Sequence, residues 1–180
     1  MEPFYHHLRG HKYLHYDLYL FHMTSSLFFY NKSKVIQALR YHFMTRKEIR
    51  LIMILVNVFA ITSAALFFFR KISPLAFLMG SVLWFSLMIA FWFILPYTIY
   101  KRAATFKDHF TVTLEDNHLF LENERGSRSW PWTSFSSLIE SPHFFHLYFD
   151  SRSFFLLPKD AFKDNSVLEA RSLLSNKIKK

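Results

Sequence analysis

Two uninterrupted apolar runs, Leu51–Phe69 and Leu75–Leu95, occupy the middle of this 180-residue chain, and neither contains a charged side chain. An α-helix rises about 1.5 Å per residue, so roughly 20 residues cross a ~30 Å hydrocarbon layer. Only Arg70, Lys71, Ile72, Ser73 and Pro74 separate the runs, which predicts two antiparallel spans joined by a tight reversal. Hydrophobic residues make up 52% of the chain. A soluble protein reaches such a content by alternating apolar with polar positions, whereas here the apolar residues are clustered, and clustering decides for a membrane. The first run lies too far into the chain, and is too long, for a signal peptide's apolar core.

The flanking charges set the expected orientation. Within about 15 residues of the spans, Arg40, Arg46, Lys47 and Arg50 precede the first and Lys101, Arg102 and Lys107 follow the second, against Arg70 and Lys71 in the turn. Basic residues are retained on the cytoplasmic side, so both termini are expected there. Arg46, Lys47, Arg50, Lys101, Arg102 and Lys107 form the candidate membrane-surface set, drawn to anionic headgroups. The net charge of +9 marks this boundary and forms no stripe on one face, so nucleic acid is not an expected partner. The absence of cysteine excludes disulfides, thiol nucleophiles and thiolate-held metal.

Three segments follow. Residues 1–50 read as a cytoplasmic segment, with a short strand at Phe4–Leu8 ended by Gly10. Tyr13, Tyr16, Leu20, Met23, Leu27 and Tyr30 then recur at helical spacing. Ser33 is placed to cap a second helix from Lys34, which shows Val35, Ile36, Leu39 and Phe43 on one face. With no proline between Lys34 and Phe69, that helix is expected to run unbroken into the first span. Residues 51–100 form the hairpin, with Pro96 near the exit of the second span, where it kinks or ends the helix. Residues 105–180 alternate: His109–Glu115, His118–Glu122, Ser129–Thr133, Phe144–Phe149 and Ser153–Leu157 read as strands, and Ser166 with Glu169 as a capping box opening a C-terminal helix. The predicted class is therefore an α+β membrane protein. A two-helix transmembrane hairpin joins N-terminal helices to a small antiparallel sheet closed by a helix, an arrangement that resembles the pleckstrin-homology (PH)-like fold.

Particular motifs carry a further resemblance. Trp132-Thr133-Ser134-Phe135 followed by Ile139-Glu140, Leu157-Pro158-Lys159-Asp160-Ala161-Phe162, and Tyr16–His22 stand in an order and spacing similar to the YcxB-like family of small bacterial membrane proteins. Trp132, Pro158, Lys159 and Phe162 are the family-motif residues. The resemblance implies a multi-pass protein of the bacterial cytoplasmic (inner) membrane with a PH-like C-terminal domain, and implies no known reaction. A tail beginning near Phe106 is short for a complete PH barrel, so the strand at Phe4–Leu8 is the expected source of the missing edge.

The function classes separate on chemistry. Neither span carries an ionisable group, the usual mark of intramembrane catalysis or transport. Asn57, Thr62, Ser63, Ser81 and Ser86 suit helix–helix contact, and two helices enclose no pathway unless a homo-oligomer assembles. The three glycines form neither a nucleophile elbow nor a phosphate loop. Trp130, Trp132, Pro158 and Phe162 read as core packing before they read as a pocket. His7, His11 and His15, at four-residue spacing, are the one metal candidate, interrupted by Gly10 and short of carboxylates to orient them. The leading expectation is a non-enzymatic, membrane-anchored interaction module without a cofactor, contacting the lipid bilayer and binding a protein partner or lipid headgroups. The alternative is a metal-dependent or otherwise unrecognised membrane enzyme using the N-terminal histidines. The orientation is tested by a reporter fused after Lys180, expected active in the cytoplasm and silent outside it. The opposite pattern overturns it.

Overall fold

The computed structural model describes residues 22–178. The expected strand at Phe4–Leu8, the histidines His7, His11 and His15, and the start of the first expected helix lie outside the described residues.

Where that helix was expected to continue, the chain is extended instead. Strands β1 (His22–Thr24) and β2 (Phe28–Phe29) both pair antiparallel with β3 (His109–Glu115), on the far side of the hairpin. Between them Ser25 keeps the ladder: its N–H donates to the Val112 carbonyl at 2.8 Å and its Oγ accepts from the Val112 N–H at 2.9 Å. Met23 and Phe28 are buried while Leu27 and Phe29 are largely exposed, so burial alternates within each strand and slips by one at Ser26–Leu27, both exposed, a pattern that a helical stripe through Met23, Leu27 and Tyr30 does not give. The first sheet continues through β4 (His118–Asn123) and β5 (Gly126–Pro131) in the order β1-β3-β4-β5. Gly126, at φ +144, makes the turn into β5. A second sheet holds β6 (Ser137–Glu140), β7 (Phe144–Tyr148) and β8 (Phe154–Pro158).

All five residues of β7 are buried, so that strand is covered on both faces. On the inner face the two sheets meet, with the Trp130 ring 5.5 Å from Phe149 and 6.0 Å from Phe155. Helix α5 (Asp164–Lys177) closes the structure, burying Ala170, Leu173 and Leu174, with Ile178 just beyond it. It is tied to β6 by Arg171–Glu140 and to the β3–β4 turn by Lys177–Asp116. Its first turn begins before Ser166, and Lys163 stands at the cap position without a side-chain bond, so the expected capping box does not form.

Helix α1 (Lys32–Thr45) lies on the outer face, burying Val35, Ala38, Leu39 and His42. Asn31 caps it rather than Ser33, accepting from the Ser33 and Lys34 N–H groups at 3.0 and 3.2 Å. The expected unbroken helix is interrupted at Arg46, which is extended (φ −74, ψ 125). Side chains meet the carbonyls freed there: Thr45 Oγ1 donates to the His42 carbonyl at 2.7 Å, and the Arg50 guanidinium to that of Met44 at 3.3 Å. Helix α2 (Lys47–Phe68) then starts afresh.

The hairpin turn is a Schellman motif. The Lys71 N–H reaches the Leu66 carbonyl, the Arg70 N–H that of Phe67, and Arg70 takes φ 56 at the position glycine usually fills. Ser73 caps helix α3 (Pro74–Ile89), with Pro74 in its first turn. Gly80 faces α2, where an added Cβ would meet Ser63 Oγ at 3.5 Å, an ordinary packing contact. Pro96 neither ends nor breaks the second helix. A π-helical turn over Ala90–Ile94 carries it into α4 (Leu95–Arg102).

Leu174 is fully buried and Leu168, on the same helix, is 64% exposed. Leu174→Asp is expected to destabilise the domain by about 4 kcal/mol or more, since a carboxylate would replace a packed side chain. The check is the thermal midpoint of the detergent-solubilised full chain, with Leu168→Asp expected to leave it unchanged.

Candidate membrane-facing site

Proline has no N–H, so Pro96 leaves the carbonyl four residues back, that of Trp92, without its helical donor. Arg40 of α1 supplies one: its Nε donates to the Trp92 oxygen at 2.8 Å. The guanidinium also lies over the Trp92 and Phe93 rings, at 5.9 and 5.4 Å. Lys32 over Tyr97 (5.0 Å) and Phe43 against Phe91 (6.3 Å) extend the same seam. Helix α1 is thus held on one side by the sheet and on the other by the exit of the second apolar helix.

The six expected surface cations gather at this end of the hairpin. Arg46 occupies the α1–α2 break and pairs with Glu48 at 3.7 Å, Lys47 opens α2, and Arg50 is drawn back onto Met44. Lys101 and Arg102 stand in the last turn of α4, and Lys107 ends the short 3₁₀ turn before β3. Lys47, Lys101, Arg102 and Lys107 are exposed and make no salt bridge among the described residues. Cations also suit the negative end of α4.

The four motif residues hold the sheets together. Trp132 is buried, its Nε1 donating to the Glu115 carbonyl at 2.9 Å. Pro158 ends β8 and pairs with Phe144. Lys159 Nζ meets Glu140 at 2.6 Å, while Arg171 grips the same carboxylate with Nε and Nη2 at 2.7–3.1 Å. Arg171, and after it Lys159, hold the Glu140 carboxyl down to about 2 against the opposing effect of burial. Phe162 is buried beside Ala161, whose carbonyl accepts from both the N–H and the Oγ of Ser26.

Beneath α1 lies a polar pair that periodicity does not reveal. His42 Nδ1 and the Tyr148 hydroxyl are 2.7 Å apart, with the Phe154 ring tilted against the imidazole at 4.4 Å. His146, fully buried on β7, has no hydrogen-bond partner at either ring nitrogen among the described residues. Burial pushes both imidazoles down to about 4, helped at His42 by Arg46 and at His146 by His42 and Lys159. Both are therefore neutral at pH 7. His42, His146 and Arg171 were not singled out from the sequence, where Arg40 was read as a flanking charge and Glu140 as part of a motif. Only Arg40 had a readable cue, the carbonyl that Pro96 orphans. No group of three or more His, Cys, Asp or Glu side chains is placed to hold a metal among the described residues.

The buried imidazoles fix an acid response. Unfolded histidine takes a proton near 6.5, but these folded ones only near 4, so below 6.5 the unfolded chain binds more protons. Stability is expected to be level above that pH and to fall as the pH drops from 6.5 to about 4, by about 3 kcal/mol for His146 alone. Glu140 adds its loss lower, from its ordinary 4.5 towards 2. His146→Phe removes two unpartnered nitrogens, so it should raise the neutral-pH midpoint and flatten the acid slope. Thermal melts from neutral pH down to about 4 are the check, and an unchanged profile in the variant overturns the assignment.

Neither a curated protein nor a solved structure matches this chain significantly. A family model does match, over the segment from within β3 to within α5 that contains Trp132, Pro158, Lys159 and Phe162, while the hairpin lies outside it. Residues 114–174 match the model described as YcxB-like protein, the family that the motifs of this segment resemble.

Proposed function

We propose that this chain is a multi-pass protein of a bacterial inner membrane, anchored by the α2–α3 hairpin with both termini cytoplasmic. On this reading its two-sheet domain is PH-like and works by contact rather than catalysis, holding lipid headgroups or a protein partner at the membrane surface. One observation carries the reading: a closed aromatic core sits beside two helices whose apolar sides stay uncovered. Leu51, Leu55, Phe59, Phe68, Leu75 and Phe93 are each between 57% and 81% exposed apart from Phe59 at 56%, far more apolar surface than a soluble monomer leaves in water. A helix satisfies its own backbone in hydrocarbon, so such faces belong against acyl chains. The two helices, Lys47–Phe68 and Pro74–Arg102, are 22 and 29 residues long.

Four strands in one sheet path, three in the other and a closing C-terminal helix support the PH-like reading. The edge that a tail alone lacked is supplied by β1, from before the hairpin. The exposed cations at the ends of α2 and α4 then lie in the headgroup layer. Each is worth about 1 kcal/mol near an anionic leaflet, over a Debye length of ~8 Å at physiological salt.

The test is acylation footprinting of the full chain in lipid nanodiscs. Lys47, Lys101 and Lys107 are expected to react several-fold more slowly with a soluble acylating reagent in anionic than in zwitterionic discs, and the difference to vanish near 1 M salt, where screening falls to about 3 Å. Equal reactivity in both lipids overturns the headgroup contact. Release of the protein from membranes by alkaline carbonate overturns the anchor.

A further inference from the structure

Along β4 and β5 the core-facing positions are Leu119, Leu121 and Asn123 on one strand and Trp130, Arg128 and Gly126 opposite them. A sheet places such paired residues on one face, so Arg128 stands in the register of the core, not of the solvent side. Its guanidinium lies 5.4 Å from the Trp130 ring centre. Neither Arg128 nor Arg152, in the β7–β8 turn, joins a salt bridge among the described residues. Asp108, the acid on the same rim, is already held by Arg125 at 3.1 Å.

Both free arginines line a cleft of about 530 Å³ between the open ends of the two sheets. Its inner wall is aromatic and aliphatic, including Phe110, Leu121, Trp130 and Phe155, and its other wall is Ile99 to Phe106, where the chain leaves α4. That volume lies within the roughly 300–1,000 Å³ of small-molecule sites, and an apolar interior with a few convergent polar groups is their usual chemistry. A smaller hollow of about 270 Å³ shares Phe110, Leu121, Asn123 and Arg128 and adds Arg125, so the cleft continues over the β4–β5 tip.

We infer that this cleft binds an anionic amphiphile, one hydrocarbon chain lying along the aromatic wall and a phosphate or carboxylate head held by Arg128 and Arg152. The charge complementarity is specific: guanidinium forks match both heads bidentately, whereas an uncharged chain leaves Arg128 without a counterion and Arg152 with only Asp150 of its own turn. The lining segment Ala103 to Phe106 falls between the cations Arg102 and Lys107 in the chain, which on the proposed membrane reading places the cleft near the headgroup layer. The inference rests on the cleft itself and is tested in detergent, so it stands or falls separately from the proposed orientation and headgroup contact.

The experiment titrates the full chain, in an uncharged detergent, with dodecyl phosphate, laurate and inorganic phosphate, reading bound mass by native mass spectrometry and the thermal midpoint. Saturable one-to-one binding of dodecyl phosphate or laurate is expected, and the tighter of the two identifies the head as phosphate or carboxylate. The double variant Arg128→Gln with Arg152→Gln should weaken it at least tenfold with an unchanged ligand-free midpoint. Leu121→Trp, which fills the cleft, should abolish it. Inorganic phosphate binding as tightly as dodecyl phosphate overturns the chain site. Non-saturating binding, or binding indifferent to the arginine pair, overturns the proposal outright. Should Leu121→Trp misfold, the arginine pair still decides, because both side chains are exposed.

Discussion

The pairing of β1 and β2 with β3 is the constraint on which everything else rests. Ser25 and Val112 are bonded to one another across 87 residues of chain, and the whole apolar hairpin is contained in that interval. Closing so long a loop from a flexible chain costs entropy that grows with the logarithm of its length. The antiparallel packing of α2 and α3 reduces the cost, because two helices of matched direction and tight turn return the chain to its starting level. The hairpin is therefore more than an anchor hung on a finished domain. It delivers β3 to the strands that precede it, and the first sheet is complete only when it does.

Helix α1 is where the two parts are bolted together, and its chemistry is divided accordingly. Val35, Ala38 and Leu39 give it an apolar face on the sheet. Arg40 gives it a charged contact with the opposite element, and a hydrogen bond from a charged donor is worth about 1.5–3 kcal/mol. The break at Arg46 allows this arrangement. A helix continuing straight from Lys34 to Phe69 would fix the direction of α1 by that of α2, and α1 could not lie against both the sheet and the Trp92 turn. Thr45 and Arg50, by taking up the His42 and Met44 carbonyls, make the break stable without a proline or glycine.

What was legible in the sequence tracks how much pattern each element carries. The hairpin was readable to within a few residues because charge-free runs of that length have few alternative uses. Strand β3, with Phe110, Val112 and Leu114 buried in alternation, and the docked face of α5 were readable for the same reason of repeated period. The three residues of β1 and two of β2 complete no period, and Met23 and Tyr30, seven positions apart, fit a helical stripe equally well. Strand β6 is four half-buried residues and was missed because no face of it is decisively apolar. The carboxylate that Lys159 shares with Arg171 was not legible: Arg171 and Glu140 are 31 positions apart, and nothing local in either segment requires the other.

The π-helical turn shows how a local defect and a distant contact explain each other. One extra residue in the turn shifts the hydrogen-bond ladder, so that the Leu95 N–H bonds back to the Ala90 carbonyl. Pro96 then follows with no N–H to give, and the Trp92 carbonyl lacks the donor four residues on. A carbonyl left without a donor costs free energy once away from water, but this one lies where Arg40 reaches it from a helix packed on the sheet. The Arg40 bond thus ties the second apolar helix at its proline to α1, and α1 is tied to the sheet through Val35, Ala38 and Leu39. A displacement of that helix at the π-turn would be felt first at Arg40 and next at the sheet face beneath α1.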